Sequence, residues 1–476
     1  MTENLIYILL FHFATILVDL LVLSALGHMV YQRREPTSMI AWLLAIILLP
    51  YIAVPVYFIF RSRKLKAKLK DRLKDTLGEK LKDKSQFMLA CRGEVPREDA
   101  TQIDLILRSN GIAGATLGNT FDFYSDGIKA YGALMDQIRS ARHRILISTY
   151  VFSSDEVAGD IISALAQKAA QGLDVRVLID SIGSLPLYLF QRPLRKLRQA
   201  GGRVEFYMPL LTRPFQNYIN LRNHRKIFLF DDDTVMAGGM NISKEYMGPV
   251  PCKGRWIDIL FAVKGPAVFH YREIFTQDWN HSSGAKLELP EHWPEPAGDT
   301  GIQVVPSGPD IPSDALYEAL LSGIFSARQR IWIVTPYFVP DKSLLQALII
   351  ARHRGVDVRL ITPASSNHLI ADLGRSSFMR DLVLNDIKVH LYQGGMIHAK
   401  AILVDKRGMM MGSANIDQRS LFLNYEAVSF IYSEKTVADC EAWMKQLLSR
   451  CQGRMKPAGK WRRMGENLMR IFAPLL

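Results

Sequence analysis

The chain has 476 residues and a formal net charge of +13 at pH 7, from 59 Lys and Arg against 46 Asp and Glu. This length allows more than one domain and a large core. The positive charge indicates an anionic partner, which is either nucleic acid or an acidic membrane surface. The four cysteines form no CxxC pair and no cluster with histidine, which argues against a zinc site and a disulfide framework and for a reducing compartment.

Residues 1–60 contain two apolar segments, which run from Leu5 to Val30 and from Met39 to Phe60. Each is long enough to cross about 30 Å of hydrocarbon as a helix. A cleaved signal peptide is the main alternative, but no basic residue precedes the first segment, and the second segment follows at once. We therefore predict a membrane anchor in the form of a transmembrane helical hairpin, and a membrane rather than nucleic acid as the partner.

Residues 61–95 are predicted to form a basic amphipathic linker. Eight Lys and Arg lie between Arg61 and Lys74, whereas the connector between the apolar segments carries only Arg33 and Arg34. The positive-inside rule places the rest of the chain in the cytoplasm, and a shallow hairpin that never crosses the bilayer is the alternative. Leucines recur at every fourth residue from 65 to 81, so this segment is either a helix on anionic headgroups or one packed on the protein.

An internal repeat occupies most of the remaining chain. The first half contains residues 141–147, a helical pattern and residues 172–179. The second half contains the similar residues 327–333, another helical pattern and the similar residues 355–361. Short apolar strands that alternate with helices predict an α/β sandwich with a largely parallel or mixed sheet. The proline-containing stretch Ser282–Thr300 separates the halves, which gives two lobes at residues 96–286 and 300–450.

One motif occurs once in each lobe, with the spacing H-x-K-x4-D and an Asn seventeen positions after the His. The first copy is His224, Lys226, Asp231 and Asn241. The second copy is His398, Lys400, Asp405 and Asn415. Two matched copies predict two half-sites of one composite site.

The residue types of this motif suit phosphate chemistry. The apolar segments Lys226–Phe230 and Lys400–Val404 predict short buried strands, and side chains at i and i+2 of a strand point to one side. Each histidine is then a nucleophile or proton carrier beside a fixed positive charge. Each Asn can donate its amide to a phosphate oxygen, and the glycines before it let the backbone approach a ligand closely.

The paired motifs and the N-terminal apolar segments resemble the phospholipase D superfamily and, within it, the bacterial cardiolipin synthases. Further runs that carry this resemblance are residues 180–184, 265–268, 335–340, 417–420 and 424–426. The resemblance implies an α/β fold of two similar phospholipase D-like αβα sandwich lobes, related by a pseudo-twofold axis, with one active site between them. It also implies the bacterial cytoplasmic (inner) membrane as the location, with the catalytic lobes on the cytoplasmic side.

The resemblance implies a transferase that moves a phosphatidyl group between two phosphatidylglycerol molecules and releases glycerol. One imidazole, which the family usually places in the first lobe and hence at His224, forms a phosphohistidine, while the other serves as acid and then as base. The groups expected to hold the phosphate oxygens are Lys226, Lys400, Asn241 and Asn415. With two ammonium groups in place, neither a metal nor another cofactor is expected.

Each histidine also needs an orienting carboxylate. The resemblance assigns Asp258 to His224 and Glu426 to His398, so that each pair lies within one lobe. Related sequences usually carry a basic residue before that Asp, where this chain has Ile257.

The motif aspartates Asp231 and Asp405 complete the catalytic set. Because the orienting role falls to other carboxylates, we expect these two to act as scaffold, paired with nearby basic or backbone groups. No acidic cluster with metal-ligand spacing accompanies them in the sequence.

Residues 451–476 are predicted to form a basic amphipathic tail. Basic residues alternate there with apolar and aromatic ones, from Lys456 to Phe472. The tail docks on anionic lipid, closes the second lobe as a helix, or frays, and the sequence does not choose among these.

Several other functions use the same motifs. A phospholipase D-type hydrolase, or a phosphatidyltransferase with another donor or acceptor, would need the same residues. A nuclease of the superfamily would suit the positive charge but has no use for a membrane hairpin. A non-enzymatic scaffold is disfavoured because both motifs are intact. The expected partner is an anionic phospholipid at a membrane and not a nucleic acid, and association into a homo-oligomer is left open.

Overall fold

The computed structural model describes residues 2–31, 36–51, 53–54, 57, 101–209, 220–311, 313–406, 408–452, 455 and 457–471. The predicted linker at residues 61–95 lies outside the described residues, and so does Cys91. The chain divides into two compact units, of which one is Met1–Arg63 with Tyr218–Asn220 and the other is Lys64–Asn217 with Leu221–Leu476.

Among its described residues, the N-terminal unit has the helices α1 (Thr2–Tyr31) and α2 (Pro36–Leu48), and helical residues occur again at 50–51, 53–54 and 57. A small cluster of buried residues includes Ala25 and Ile46, and the rings of Trp42 and Tyr57 meet edge to face with centroids 5.2 Å apart. The first predicted segment is thus helical throughout, whereas in the second segment α2 ends at Leu48 and several residues up to Phe60 lie outside the described residues. No helix within the described residues has both the length and the apolar character needed to cross a membrane.

The first lobe alternates strands with helices, as its repeat predicts. Its strands are β1 (Thr116–Tyr124), β2 (Arg144–Thr149), β3 (Asp174–Asp180), β4 (Arg203–Tyr207), β5 (Ile227–Phe230), β6 (Thr234–Gly238) and β7 (Leu260–Lys264). Its helices are α3 (Gln102–Ser109), α4 (Gly127–Ser140), α5 (Glu156–Ala170), α6 (Leu185–Leu189), α7 (Arg195–Gln199) and α8 (Ala267–Ser283), with a 3₁₀ turn at Arg192–Leu194. Aspartate side chains cap α4 and α5 by accepting hydrogen bonds from first-turn N–H groups, which fixes where these helices begin.

The second lobe repeats this order and adds three strands, one at the far edge of the main sheet and two that form a separate two-stranded sheet. Its strands are β8 (Thr300–Ser307), β9 (Arg330–Val334), β10 (Phe338–Val339), β11 (Asp357–Pro363), β12 (Lys388–Tyr392), β13 (Ala401–Val404), β14 (Gly408–Gly412), β15 (Ile416–Asp417), β16 (Glu426–Tyr432) and β17 (Cys451–Gln452). Its helices are α9 (Ala315–Ser326), α10 (Lys342–His353), α11 (Leu369–Leu384), α12 (Gln418–Phe422), α13 (Glu434–Leu448) and α14 (Lys460–Ile471).

The two lobes share one mixed sheet of fifteen strands, in the order β17-β12-β11-β9-β13-β14-β16-β8-β1-β7-β6-β5-β2-β3-β4. The order on one side of the β8/β1 junction mirrors the order on the other, so each first-lobe strand has a second-lobe counterpart. At the junction β1 and β8 run antiparallel, with Thr116 opposite Ile302. This arrangement confirms the predicted α/β class and the two similar lobes, and it relates them by an approximate twofold axis at the centre of the sheet.

The helices cover the sheet over two apolar cores, one in each lobe. The motif strands β5 and β13 lie inside the sheet, where β5 pairs antiparallel with β2 and β6, and β13 pairs antiparallel with β9 and β14. Both are short apolar strands, and all four residues of β5 are buried. The half-sites therefore start from rigid positions in the middle of each lobe.

Candidate active site at the lobe junction

The segment that carries His224 is hydrogen-bonded to the other lobe. The His224 backbone N–H donates to the Tyr425 carbonyl at 2.9 Å, and the Tyr425 N–H donates to the Arg222 carbonyl at 2.9 Å. Asn223 and Tyr425 form an isolated parallel bridge at this point. The residues before β5 thus pair with the chain just ahead of β16.

The segment that carries His398 makes the equivalent contact in the opposite direction. Its backbone N–H donates to the Ile257 carbonyl at 2.7 Å, and the Ile257 N–H donates to the Met396 carbonyl at 2.9 Å. Ile257 and Ile397 form the matching parallel bridge. Because backbone groups make this pairing, the Ile at position 257 serves it as well as a basic residue would.

These backbone contacts between the lobes correct the predicted pairing of the two histidines with their carboxylates. The Nδ1 atom of His224 lies 3.0 Å from Oε2 of Glu426, and the Nδ1 atom of His398 lies 2.6 Å from Oδ2 of Asp258. Asp258 and Glu426 both contact a motif histidine, as expected, but each contacts the histidine of the opposite lobe. The same-lobe assignment was wrong because the segment ahead of each histidine pairs across the junction and brings the other lobe's carboxylate with it.

Both orienting carboxyl groups are buried and ionised. Burial alone would raise the pKa of Glu426, but His224 and Lys226 outweigh burial and lower it. Burial likewise opposes ionisation of Asp258, and Lys400 and His398 lower its pKa below the ordinary value. An ionised carboxylate at Nδ1 favours the Nδ1–H tautomer. The Nε2 atom of His224 is then the nitrogen left for chemistry, and the Nε2 atom of His398 lies 3.1 Å from the Lys400 Nζ atom.

The two histidines belong to one electrostatic site. Burial lowers the pKa of His224, with Lys226 and Lys400 adding to the effect and Glu426 opposing it. Burial also lowers the pKa of His398, and both lysines act in the same direction. Each imidazole therefore senses the ammonium group of the opposite lobe as well as its own, which is expected only if the half-sites converge.

The motif lysines are almost fully buried beside their histidines. The Nζ atom of Lys226 donates to the His224 carbonyl at 2.7 Å and lies 5.3 Å from the centre of the Tyr150 ring. The Nζ atom of Lys400 contacts the carbonyl of His398 and lies 2.7 Å from its Nδ1 atom. Burial lowers the pKa of both lysines, and the site carboxylates oppose that shift. A bound anion would favour the charged form of both lysines and gain from their charge at this buried position.

One part of the predicted local geometry was wrong. The motif strands begin at Ile227 and Ala401, so each lysine and histidine lies just before the strand and not within it. These residues pair with the opposite lobe instead of extending the ladder between the motif strand and its neighbours. Each His still lies beside its Lys, but this proximity comes from an extended lead-in segment.

The motif asparagines border the site. The Oδ1 atom of Asn241 accepts a hydrogen bond from the Val151 N–H at 3.0 Å. The Oδ1 atom of Asn415 is buried and has no hydrogen-bond partner among the residues that the structure describes. The contacts of the two side chains therefore differ between the lobes, and the Oδ1 atom of Asn415 stays without a partner among the described residues.

The motif aspartates lie away from the imidazoles. Asp231 accepts from the backbone N–H groups of residues 142, 143 and 144 at 2.7–2.9 Å, and it adopts φ +51°. Asp405 accepts from those of residues 328, 329 and 330 and adopts φ +52°. Each carboxylate joins the turn after a motif strand to the start of the adjacent strand, which is the scaffold contact that the sequence suggested.

Aromatic rings enclose the imidazoles, and sequence reasoning did not single them out as site residues. The Tyr150 ring meets His224 edge to face, with centroids 4.9 Å apart. Tyr246 and Trp256 lie against His398 at 5.1 and 5.6 Å. Tyr150 could have been found, because a Thr-Tyr pair after β2 recurs as Thr-Pro-Tyr after β9. Tyr246 has no such repeated signal.

Arg225, between the histidine and lysine of the first motif, was also missed. Its guanidinium forms a buried ion pair with Asp278 at 2.7 Å and donates to the carbonyls of Glu426 and Ser307 at 3.1 and 3.2 Å. The second motif has Ala399 at the equivalent position. Arg225 thus holds the start of β16, and with it the carboxylate that contacts His224.

Close packing behind each carboxylate differs between the lobes. A Cβ atom on Gly239 would lie 2.2 Å from Asp258 Oδ1, so a side chain cannot be placed there without moving that carboxylate. The second-lobe counterpart is Ser413, whose hydroxyl donates to Glu426 at 2.5 Å. Among the described residues, no group of three or more His, Cys, Asp or Glu side chains is arranged to hold a metal ion.

Comparison with known proteins agrees with this architecture. A family model described as cardiolipin synthase, PLD-like domain, matches residues 134–279 and 320–448, and a model described as phospholipase D-nuclease N-terminal matches residues 20–61. The chain is 33% identical to the major cardiolipin synthase of Bacillus subtilis over 464 residues, which cover 94% of this chain and 95% of the relative. It is 32% identical to a cardiolipin synthase of Listeria welshimeri, with 97% of this chain and 99% of the relative covered.

One solved structure supports the fold. The phosphatidylserine synthase of Haemophilus influenzae superposes with a TM-score of 0.57 at 17% identity, and the match covers 79% of this chain and 98% of that protein. At this identity the likeness concerns the fold alone. The family models and the near full-length relatives carry the assignment further, and the chain belongs to the cardiolipin synthase family of the phospholipase D superfamily.

Proposed function

We propose that this chain is a cardiolipin synthase that transfers a phosphatidyl group from one phosphatidylglycerol molecule to another and releases glycerol. The observation that carries the proposal is the crossed pairing of two buried histidines with carboxylates of opposite lobes, beside two buried lysines. Such a site offers a nucleophile, a proton carrier and fixed positive charge around one phosphorus atom. The relatives named cardiolipin synthase supply the lipid class.

In the first step, the Nε2 atom of one histidine, which we assign to His224, attacks the phosphorus of the donor lipid. A P–N bond forms while the P–O bond to the glycerol headgroup breaks. The Nε2–H of His398 gives its proton to the departing alkoxide, so that neutral glycerol leaves. The crossed carboxylates hold Nδ1 of both rings and stabilise the positive charge that each ring carries in turn.

In the second step, a hydroxyl of the acceptor phosphatidylglycerol gives its proton to Nε2 of His398 and attacks the same phosphorus. The new P–O bond forms as the P–N bond breaks, and both histidines return to their starting states. Lys226, Lys400 and the amides of the two motif asparagines stabilise the charge on the non-bridging oxygens in both steps.

Proton transfer by His398 requires a protonated ring, although burial lowers its pKa in the free protein. A phosphodiester carries a negative charge, and an opposite charge close to an imidazole favours its protonated form. Substrate binding would therefore raise the pKa of His398 and prepare the acid only when the phosphate is in place.

We further propose that residues 96–286 and 300–450 are the two catalytic lobes and that residues 1–60 anchor the chain in the bacterial cytoplasmic membrane. The Lys and Arg run after residue 60 supports a cytoplasmic position of the lobes by the positive-inside rule.

The test is to incubate the purified full chain with pure phosphatidylglycerol and to identify products by mass spectrometry. Equal amounts of glycerol and a four-chain lipid are expected, and His224→Ala and His398→Ala should each abolish both. Phosphatidic acid as the main product would establish a hydrolase instead. No lipid product from a folded enzyme would refute the proposal.

A further inference from the structure

The C-terminal helix α14 packs on the second lobe through its polar residues. Glu466 is only 1% exposed and accepts from Arg380 Nε at 2.6 Å and Nη2 at 3.0 Å, and from Arg462 Nε at 3.0 Å. Arg380 belongs to α11, so this buried charge pair joins the two helices. The structure therefore shows one of the three predicted fates of the tail, a helix that closes the second lobe.

Other contacts between α14 and α11 are polar as well. Asn467 accepts from the Ser377 hydroxyl at 3.1 Å, and Arg470 donates to Asp381 at 2.6 Å. The Arg470 guanidinium also lies 4.3 Å from the centre of the Phe378 ring. The face of α14 that meets the protein thus consists largely of charged and amide side chains.

The opposite face of α14 is apolar and exposed. Trp461, Met464 and Leu468 are 79%, 58% and 57% exposed. Their spacing of i, i+3 and i+7 puts them on one stripe of the helix, and at about 100° per residue this stripe lies opposite Glu466 and Arg470. A helix on a water-soluble surface normally buries its apolar stripe, so the reversed orientation indicates that a further surface covers this one.

The side chains around the stripe identify the chemistry of that surface. Lys460 is exposed at the start of the helix, about 70° around the helix axis from the centre of the stripe. The whole chain carries a charge of +13. A tryptophan beside basic residues suits the boundary between lipid headgroups and acyl chains. A second copy of the chain would bring like charges together, whereas an anionic bilayer would neutralise them.

We propose that α14 is an interfacial helix that inserts Trp461, Met464 and Leu468 into the headgroup region of an anionic bilayer and so holds the second lobe against its lipid substrate. The choice of a bilayer rests in part on the proposed function, since the substrate is then a membrane lipid. The polar contacts with α11 fix the helix on the lobe, so the lobe and the helix meet the membrane as one body.

The test places a fluorescent label on the stripe in the full chain. Met464→Cys and, as the control, Lys445→Cys on α13 are made in a chain whose native cysteines are replaced by Ala, then labelled and reconstituted in phosphatidylglycerol nanodiscs. Both label positions are exposed, so the labels should leave the fold intact. Because Cys440 is buried, thermal unfolding of the cysteine-free chain is compared with that of the native chain before labelling. Lipids with a nitroxide near the headgroup are expected to quench the label at position 464 about threefold or more beyond the control, because an interfacial helix buries its apolar face by about 5–10 Å.

Two results would overturn the inference. Equal quenching of the two labels would show that the stripe does not enter the bilayer. An unquenched label at position 464, together with disulfide-linked dimers of the unlabelled Met464→Cys chain, would show that a second copy covers the stripe. The measurement needs no turnover, so a quenched label without lipid transfer refutes only the proposed function, and transfer without quenching refutes only the interfacial helix.

Discussion

Replacing Glu426 with Gln tests the crossed pairing of the active site directly. The substitution keeps the shape of the side chain but removes the negative charge 3.0 Å from His224 Nδ1. Loss of an orienting carboxylate from a catalytic histidine costs a factor on the order of 10²–10⁴ in rate, or about 3–5 kcal/mol in the activation free energy. We expect a fall of that size in the rate of glycerol release. The matched variant Asp258→Asn should fall by a similar factor, because Asp258 lies 2.6 Å from His398.

The pairing itself is read from which step each variant slows. Phosphoenzyme is followed with radiolabelled phosphatidylglycerol and rapid quenching. A variant of the nucleophilic half forms little phosphoenzyme, whereas a variant of the acid–base half forms it slowly and retains it, because the acid–base histidine acts in both steps. Crossed pairing predicts that Glu426→Gln behaves like His224→Asn and that Asp258→Asn behaves like His398→Asn. The prediction holds whichever histidine is the nucleophile. If Glu426→Gln instead behaves like His398→Asn, the same-lobe pairing is correct and the crossed pairing is refuted.

Further predictions concern the scaffold, the pH dependence and metal ions. Asp405→Asn should lower the free energy of unfolding by about 1–3 kcal/mol, because it weakens contacts to three partly buried backbone N–H groups. The rate per folded molecule should persist, and loss of rate without loss of stability would contradict this. Burial raises the pKa of Asp417 from 3.8 to about 6. The ionised carboxylate therefore lowers the free energy of unfolding by up to about 3 kcal/mol above pH 6, and this destabilisation disappears as the pH falls towards 4. Asp417→Asn should therefore be the more stable protein in urea at pH 7.5, with the difference closing at pH 4, and a less stable variant at pH 7.5 would refute this. Glycerol release should continue in EDTA, since Lys226 and Lys400 supply the charge at the phosphate. If release stops on chelation and returns when a divalent ion is added, the reaction needs a metal ion and this prediction is wrong.

Much of the fold followed from local patterns. The repeat of strand, helix and strand around residues 141–179 and 327–361 predicted both lobes, because each copy buries its apolar residues at the same spacing. The H-x-K-x4-D motifs located the half-sites for the same reason. Spacing along the chain was sufficient wherever the interacting residues lie in one short segment.

Spacing was insufficient where the contacts join distant segments. His224 and Glu426 are 202 positions apart, and nothing near either residue encodes their hydrogen bond. The pairing depends on backbone bridges at Tyr425 and Ile257, whose side chains carry no signal for it. The same holds for Arg225, which looks like a spacer within the motif and instead contacts the other lobe. Pairing between lobes is set by the assembled sheet, so the sequence led to the simpler assignment within a lobe.

The crossed carboxylates determine when the active site is completed during synthesis of the chain. His224 is synthesised near the middle of the polypeptide, yet its acidic partner emerges from the ribosome only when the last strands of the second lobe follow. Until then the first lobe holds a histidine and a lysine without the charge that fixes the ring. A chain truncated before residue 426 lacks this carboxylate, so we expect the complete active site to form only late in translation.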